Sequence, residues 1–509
     1  MKAVLCALFP LLPLSATEKP NIIVILADDL GFSDLSCYGS SIDTPNIDSL
    51  AANGLRFTDF HNGSRCCPTR AALLTGLYPH QAGVGHMVKD EGKPGYRGKL
   101  NESCVTIAEA LKPAGYATLM AGKWHVGENK GHHPTDRGFD RFWGSPGGGG
   151  FYFKEAMLLK NREIWSGSEK IDPPDDMYVT DDFTDHAIAF VTEAVTEHKK
   201  PFFLYLAHIA PHWPLQAKPE DIAKYKGRFD HGWDAERYRR FAKQKSLGLM
   251  PANGTLSPRD PKAKPWREIS EDKHKDLAHR MEIYAAQIDS IDQNLGKLIA
   301  KLKQLGQFEN TMIIFLSDNG CSSEGGPGGF NNGKEKSPIG AALTHASAGL
   351  EWANASNTPY CKHKISTFSG GTRTPFIVHW PAAVSAKGEL RRQSAHVIDI
   401  MPTVLEAAGT SYPEKHNEHP VTPLEGKSLI PVFKEDTAAP RDLFWEHQGN
   451  KAARLGDWKA IQSDGMEWQL FDLSQDPTET TDLSEQQPER LAGLKAQWQA
   501  WAKRCNVLR

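Results

Sequence analysis

Asn21–Leu26 (NIIVIL) holds five consecutive apolar residues after its first position, and such a run suits a strand covered on both faces of a sheet. Ala27-Asp28-Asp29 follows at once. The arrangement recurs along the chain. Arg56–Phe60 leads toward Cys66, Ala117–Met120 into Gly122-Lys123-Trp124-His125, Phe202–Leu206 into His208 and Pro211-His212, and Met312–Leu316 into Ser317-Asp318-Asn319-Gly320. Amphipathic stretches alternate with these runs, which predicts an α/β fold with a large mixed, mostly parallel sheet flanked by helices. Ligands of open α/β sheets bind beyond the carboxyl ends of the strands, so parallel strands would gather all five polar groups on one rim.

The helical complement is visible in Ile288, Ile291, Leu295, Leu298 and Leu302, spaced by three and four. Asp289 and Asp292 beside that stripe read as a solvated face. After Pro381 the pattern changes: Leu443–His447, Ala452–Ala460 and Trp468–Leu473 read as short strands, followed by a helix over about 485–503. A smaller C-terminal subdomain of antiparallel sheet plus helix is expected at 391–509, behind a catalytic part at 17–390, with the boundary anywhere from about 380 to 440. Met1-Lys2, the apolar run to Leu14 and Ser15-Ala16 suit a signal peptide over 1–16 and an exported protein, periplasmic or secreted. No later run approaches the ~18 apolar residues of a membrane span. A net charge of −3 leaves no basic footprint for nucleic acid. Of the eight cysteines none forms a C-x-x-C pair, which disfavours a zinc ribbon or a thioredoxin-like site.

Asp28, Asp29, Asp318 and Asn319 together offer three carboxylates and an amide oxygen, a hard set suited to Ca²⁺ or Mg²⁺ rather than zinc or iron. Taken singly, each pair is equally a turn or a helix cap. Pro68 is placed to open a helix through Ala71–Leu74, which sets Cys66 at or just before its N-terminus, where an anion is favoured. Arg70, one turn in, adds a permanent cation with bidentate reach. A metal, a helix N-terminus and an arginine suit a tetrahedral oxyanion, sulfate or phosphate. Lys123 and His125, two apart on an extended segment, would share a face. Surface solvation for the lysine and a structural hydrogen bond for the histidine remain the plainer readings. His212 is held in a rigid Pro-His-Trp-Pro context, and His208 ranks below it.

Cys66-Cys67-Pro68-Thr69-Arg70 fits a C-x-P-x-R pattern only from Cys66. With Gly115–His125, Pro211–Gln216, Ser317–Gly320 and Gly370–Pro375 in this order, the chain resembles the formylglycine-dependent type I sulfatases of the alkaline phosphatase superfamily, arylsulfatase type. The resemblance implies that Cys66 is oxidised by a formylglycine-generating or sulfatase-maturing enzyme to an aldehyde, whose hydrate attacks a sulfate monoester. It implies Ca²⁺ held by Asp28, Asp29, Asp318, Asn319 and the modified Cys66. Arg70 and Lys123 would steady hydrate and sulfate, His125 would act on the hydrate's hydroxyl, and His212 would lie near the departing ester oxygen. Lys364 matches a further family lysine, with Lys362 the weaker candidate. Thr69 stands where Ser or Ala is commoner, and Ser369 where an acidic residue often precedes Gly370-Gly371. The glycines after Pro146 and the stretch 322–358 read as loops near the mouth of the site that shape substrate choice. The resemblance implies a sulfated small molecule or glycan as substrate. The rivals are a phosphoester or phosphonate hydrolase on the same scaffold and a silent glycan-binding protein with unmodified Cys66.

Overall fold

Four of the five runs form single strands, and Arg56–Phe60 is split at Thr58-Asp59 into two. The computed structural model describes residues 19–159, 161–333, 337–437 and 439–507, so the leader expected at 1–16 lies outside the described residues. The strands are β1 (Asn21–Asp28), β2 (Leu55–Phe57), β3 (Phe60–His61), β4 (Ala117–Lys123), β5 (Arg141–Ser145), β6 (Ile164–Ser166), β7 (Glu169–Ile171), β8 (Phe202–Pro211), β9 (Thr311–Ser317), β10 (Phe376–His379) and β11 (Glu389–Arg391). All but β3 join one ten-stranded sheet in the order β11-β2-β10-β9-β1-β8-β4-β5-β6-β7. β1 pairs in parallel with β8 and β9, and β4 with β8 and β5. β10 runs antiparallel to both β9 and β2, so β2 points the same way as β9. The groups that follow the five runs therefore lie toward one end of the sheet.

Burial explains why β1 lacks polar alternation. Ile23, Ile25 and Ala27 enter the core beneath the Val179–Thr196 and Glu271–Gln304 helices. Ile22, Val24 and Leu26 enter the opposite core, with Leu73 and Leu74 of the Cys66–Thr75 helix and Met401 and Val404 of the Ile400–Ala407 helix. At about 1.5–3 kcal/mol for each large side chain buried, both faces of this strand stabilise the sheet.

The Glu271–Gln304 helix presents the stripe Ile288, Ile291, Leu295, Leu298 and Leu302 to the core as the spacing predicts. Its acidic neighbours do not form a solvated face. Asp292 is buried and accepts from the backbone N–H groups of Asn46 (3.1 Å) and Ile47 (2.7 Å), serving the open end of the Pro45–Ala52 helix. Asp289, also buried, pairs with Lys224 at 2.9 Å.

β11, at the expected boundary, still belongs to the large body through its pairing with β2, and the Ile400–Ala407 helix after it packs there too. A separate antiparallel sheet of four strands follows: Asp442–His447, Asn450–Leu455, Trp458–Gln462 and Gln469–Asp472, with the Pro488–Arg504 helix packed on it. The single run expected over Ala452–Ala460 is thus two strands, split at Gly456-Asp457. The seven described cysteines are all free. No helix among the described residues is long and apolar enough to cross a membrane.

Candidate active site

The helix that carries the Cys-x-Pro-x-Arg pattern begins at Cys66, with extended Arg65 as its cap, two residues earlier than Pro68 suggests. Pro68 fits the third position because the first four helical N–H groups need no intrahelical partner. Cys66 therefore lies at the open N-terminal turn, and it is buried. Thr69 ties this turn to β9: its hydroxyl donates to the Asp318 carbonyl at 2.6 Å and accepts from Gly63 N–H at 2.8 Å. The sequence assigned Thr69 no such role.

Arg70 is fully buried and spans three strand ends. Its Nη1 donates to the Lys123 carbonyl at 2.8 Å, and its Nη2 to Asp318 Oδ2 at 2.8 Å and Asp28 Oδ2 at 3.2 Å. Lys123 Nζ also bonds Asp28 Oδ2. Asp29 leaves β1 in the left-handed region (φ 68°). Its carboxylate receives Lys364 Nζ at 2.7 and 2.9 Å and Asn319 Nδ2 at 2.6 Å. Lys362 instead faces Asp260 at 3.4 Å.

The two histidines approach from separate loops. His212 Nδ1 lies 2.5 Å from the Trp213 carbonyl, which assigns the proton to Nδ1 and leaves Nε2 facing Asp29 Oδ2 at 3.5 Å. His125 does not continue the strand of Lys123. Its φ of 59° breaks the extended path, so a shared face is not what brings the two together. The His125 ring is buried against Gly148, and its ligand atom groups with Cys66 and Cys67 within 4.8 Å. His208, buried on β8, has its protonation pushed down by burial, to about 4.

The oxygen set suits a hard cation. Asp28 Oδ1 and Asn319 Oδ1 are buried and have no hydrogen-bond partner, which is costly unless something positive fills the gap. Ligand atoms of Asp28, Asp29 and His212 lie within 4.8 Å of one another. Three carboxylates are balanced by Arg70, Lys123 and Lys364, so a divalent ion would leave the site positive and matched to an oxyanion. Burial lifts the Asp28 carboxyl, but Lys123, His212 and Arg70 outweigh it and hold it below the usual range. Asp318, where burial is joined by the Asp28 charge, is pushed well up. A hydrogen bond from Cys67, then His125 and Lys123, holds the Cys66 thiol well down against burial. The same burial drives Cys67 up.

The missing acid before Gly370-Gly371 is supplied from the small sheet's side of the molecule. Ser369 N and Oγ bond Glu479 at 2.7 and 2.8 Å, and Lys459 completes the buried cluster at 2.6 Å. The loop after Pro146 is closely packed rather than loose: a Cβ on Gly148 would fall 2.0 Å from His125 Nε2, and one on Gly150 2.0 Å from the Trp213 carbonyl. The stretch 322–358 is pinned as well, Arg280 Nη1 donating to the carbonyls of Gly328, Phe330 and Ser347 at 3.0–3.1 Å. A more open apolar cavity of about 590 Å³, bordered by Ile222, His279 and Ile339, contains none of these groups.

Comparison with known proteins agrees with this geometry. The sulfatase family model matches residues 20–410, and a model of the C-terminal region of N-sulphoglucosamine sulphohydrolase matches 363–500. An uncharacterised sulfatase of Schizosaccharomyces pombe is 36% identical over 530 residues, covering 97% of this chain and 95% of that protein. An arylsulfatase of Klebsiella aerogenes is 36% identical over 434 residues, covering 82% and 92%. Among solved structures, Ps i-CgsB in complex with k-i-k-neocarrahexaose superimposes with a TM-score of 0.70 at 29% identity, covering 95% of this chain and 93% of that one.

Proposed function

The chain belongs to the sulfatase family and hydrolyses sulfate esters, and we propose that it does so through a formylglycine made from Cys66 beside a calcium ion. The observation that carries the reading is Cys66 at a helix N-terminus, with His125 on one side and the incompletely bonded oxygens of Asp28 and Asn319 in the same pocket of charge. Asp28, Asp29, Asp318, Asn319 and the modified Cys66 would hold the ion. Its hard oxygen donors favour Ca²⁺, with Mg²⁺ second. The metal supplies positive charge for sulfuryl oxygens, and the aldehyde hydrate supplies the attacking hydroxyl.

The chain's own residues do the rest. Arg70 and Lys123 keep Asp28 ionised, Arg70 also aligns Asp318, and both bring their cations to the oxyanion. His125, held by Gly148, moves a proton at the Cys66 position. His212, whose Nδ1–H is committed to the Trp213 carbonyl, offers Nε2 to the oxygen that leaves. Lys364 steadies Asp29.

A sulfated small molecule or glycan is the substrate class, and the neighbour solved with neocarrahexaose supports an oligosaccharide. Oxidation of Cys66 requires a formylglycine-generating or sulfatase-maturing partner. The leader-like 1–16 supports export to the periplasm or the medium. The separate sheet from Asp442 onward supports a C-terminal part distinct from the catalytic part, but with the division nearer 440 than the expected 390/391, because β11 and the Ile400–Ala407 helix belong to the large body.

The test is the mass of the Cys66 peptide from a host with the maturing enzyme, together with turnover of 4-nitrophenyl sulfate and 4-nitrophenyl phosphate. Loss of the sulfur with preference for sulfate is expected. An unmodified thiol in an active preparation would refute the mechanism. Preference for phosphate by orders of magnitude would establish the phosphoester or phosphonate hydrolase instead.

A further inference from the structure

Among the described residues four cations act on Cys66, and three of them, Arg70, Lys123 and Lys364, are bonded to carboxylates. The fourth, Arg65, is not. It is the residue directly before Cys66 and caps its helix in an extended conformation. Its side chain is only 14% exposed, yet its nearest carboxylate, Glu324 Oε1, is 3.6 Å away, beyond hydrogen-bond range. Its Nε reaches only the sulfur of Met87, at 3.4 Å.

Both partners of this loose pair have capacity left. Arg65 Nη1 and Glu324 Oε2 are each buried without a hydrogen-bond partner, a state expensive enough to need an explanation. Glu324 stands in Ser323-Glu324-Gly325-Gly326, at the start of the stretch pinned by Arg280, where Ser347 Oγ bonds its carbonyl at 2.7 Å. Burial works against the Arg65 charge, but Cys66, Glu324 and Asp29 favour it, so the guanidinium stands in the field of the reaction centre. A guanidinium presents a planar fork that matches the two oxygens of a carboxylate or sulfate. Glu324 fills this role poorly from its present distance.

We propose that Arg65 is a specificity residue that receives a second oxyanion of the substrate, a sulfate or carboxylate on the leaving group, in exchange for Glu324. The inference rests on the reading of Cys66 as the nucleophile's precursor, since that fixes which end of the substrate lies beside Arg65. It makes the preferred substrate a multiply charged ester. A singly charged aryl sulfate would leave the Arg65–Glu324 pair undisturbed.

The test compares 4-nitrophenyl sulfate with the same ring bearing an added carboxylate or an added sulfate, on matured wild-type, Arg65→Gln and Glu324→Gln enzymes. Arg65→Gln is expected to raise KM for the doubly charged rings by about tenfold or more, the loss of a charged hydrogen bond, with kcat kept. KM for 4-nitrophenyl sulfate should stay within about twofold. Glu324→Gln should lower KM for the doubly charged rings only. Whichever added group responds more identifies the oxyanion. Calorimetric binding of the three ligands to Cys66→Ala carrying each substitution gives the same ratios without turnover. Absence of turnover in the wild type would therefore fell the catalytic reading while the binding ratios still decide Arg65. Equal losses for singly and doubly charged rings, or no change for either, would overturn the proposal.

Discussion

Gly148 is the point at which a single methyl group should disable the site without removing any polar group. No left-handed φ is required there, so alanine is acceptable to the backbone, but its Cβ would lie 2.0 Å from His125 Nε2 and 2.4 Å from Cε1. Neither side can retreat easily. Gly148 N–H is bonded to Glu128 Oε1 at 3.0 Å, and His125 N–H to the Pro146 carbonyl at 3.1 Å. Restoring an ordinary contact of 3.4 Å or more requires the imidazole to move by about 1.4 Å. A misplacement of about 1 Å at a reacting centre costs on the order of a hundredfold, so kcat in Gly148→Ala should fall at least that far, or about 2.7 kcal/mol in the barrier. Overpacking should cost a further ~1–3 kcal/mol of stability, which a melting curve would register as a folded but weakened protein. The neighbouring Gly147→Ala is the control. Its Cβ would meet nothing nearer than Glu128 Oε1 at 3.5 Å, so kcat should hold within about twofold and stability should hold or rise by up to ~1 kcal/mol. The assay is 4-nitrophenyl sulfate turnover by matured enzyme. A Gly148→Ala enzyme that keeps more than half its kcat, or a Gly147→Ala enzyme that falls equally, would refute the placement of His125.

Chelation should abolish turnover and lower the melting temperature, and added Ca²⁺ should restore both more effectively than Mg²⁺, with a midpoint that rises with ion concentration. Glu479→Ala would strand Lys459, both side chains being fully buried, and should cost about 3–5 kcal/mol in urea unfolding, against about 1 kcal/mol for Ser369→Ala. His208 binds its proton at about 4 in the folded protein against 6.5 ordinarily, because it is buried. The unfolded chain therefore takes up that proton first. Stability is unaffected above about pH 6.5, falls as pH drops toward 4, and loses up to about 3 kcal/mol by then. Stability measured across this range should decline less steeply in His208→Asn, and an unchanged slope would contradict the assignment.

The strand ends were legible because two chemical facts coincide in the sequence. An uninterrupted apolar run such as Ile22–Leu26 needs cover on both faces, and a carboxylate pair directly after it needs a partner. Residues whose partners lie far along the chain were not legible. Asp292 resembles any charged position beside an apolar stripe until the Pro45–Ala52 helix, some 245 residues away in sequence, turns its open end toward it. Ser369 looked like a lost acid because Glu479 supplies the carboxylate from 110 residues downstream. The glycines after Pro146 read as a flexible loop because composition records only a missing side chain. The ring that occupies the vacated space belongs to His125, more than twenty positions earlier.

The burial of Cys66 sets a clock. The residue is buried within the same turn that Thr69 fastens to the Asp318 carbonyl, and Asp318 is synthesised about 250 residues after the cysteine. At about 5–20 residues per second, a ribosome needs roughly 12–50 s to cover that interval. On the proposed maturation, an enzyme that converts Cys66 would have to reach it while the turn is still an open segment, before β9 takes its place in the sheet. Yield of active protein would then depend on a race between oxidation and chain completion. Slowing elongation downstream of Arg70 should raise the converted fraction with no change in any residue.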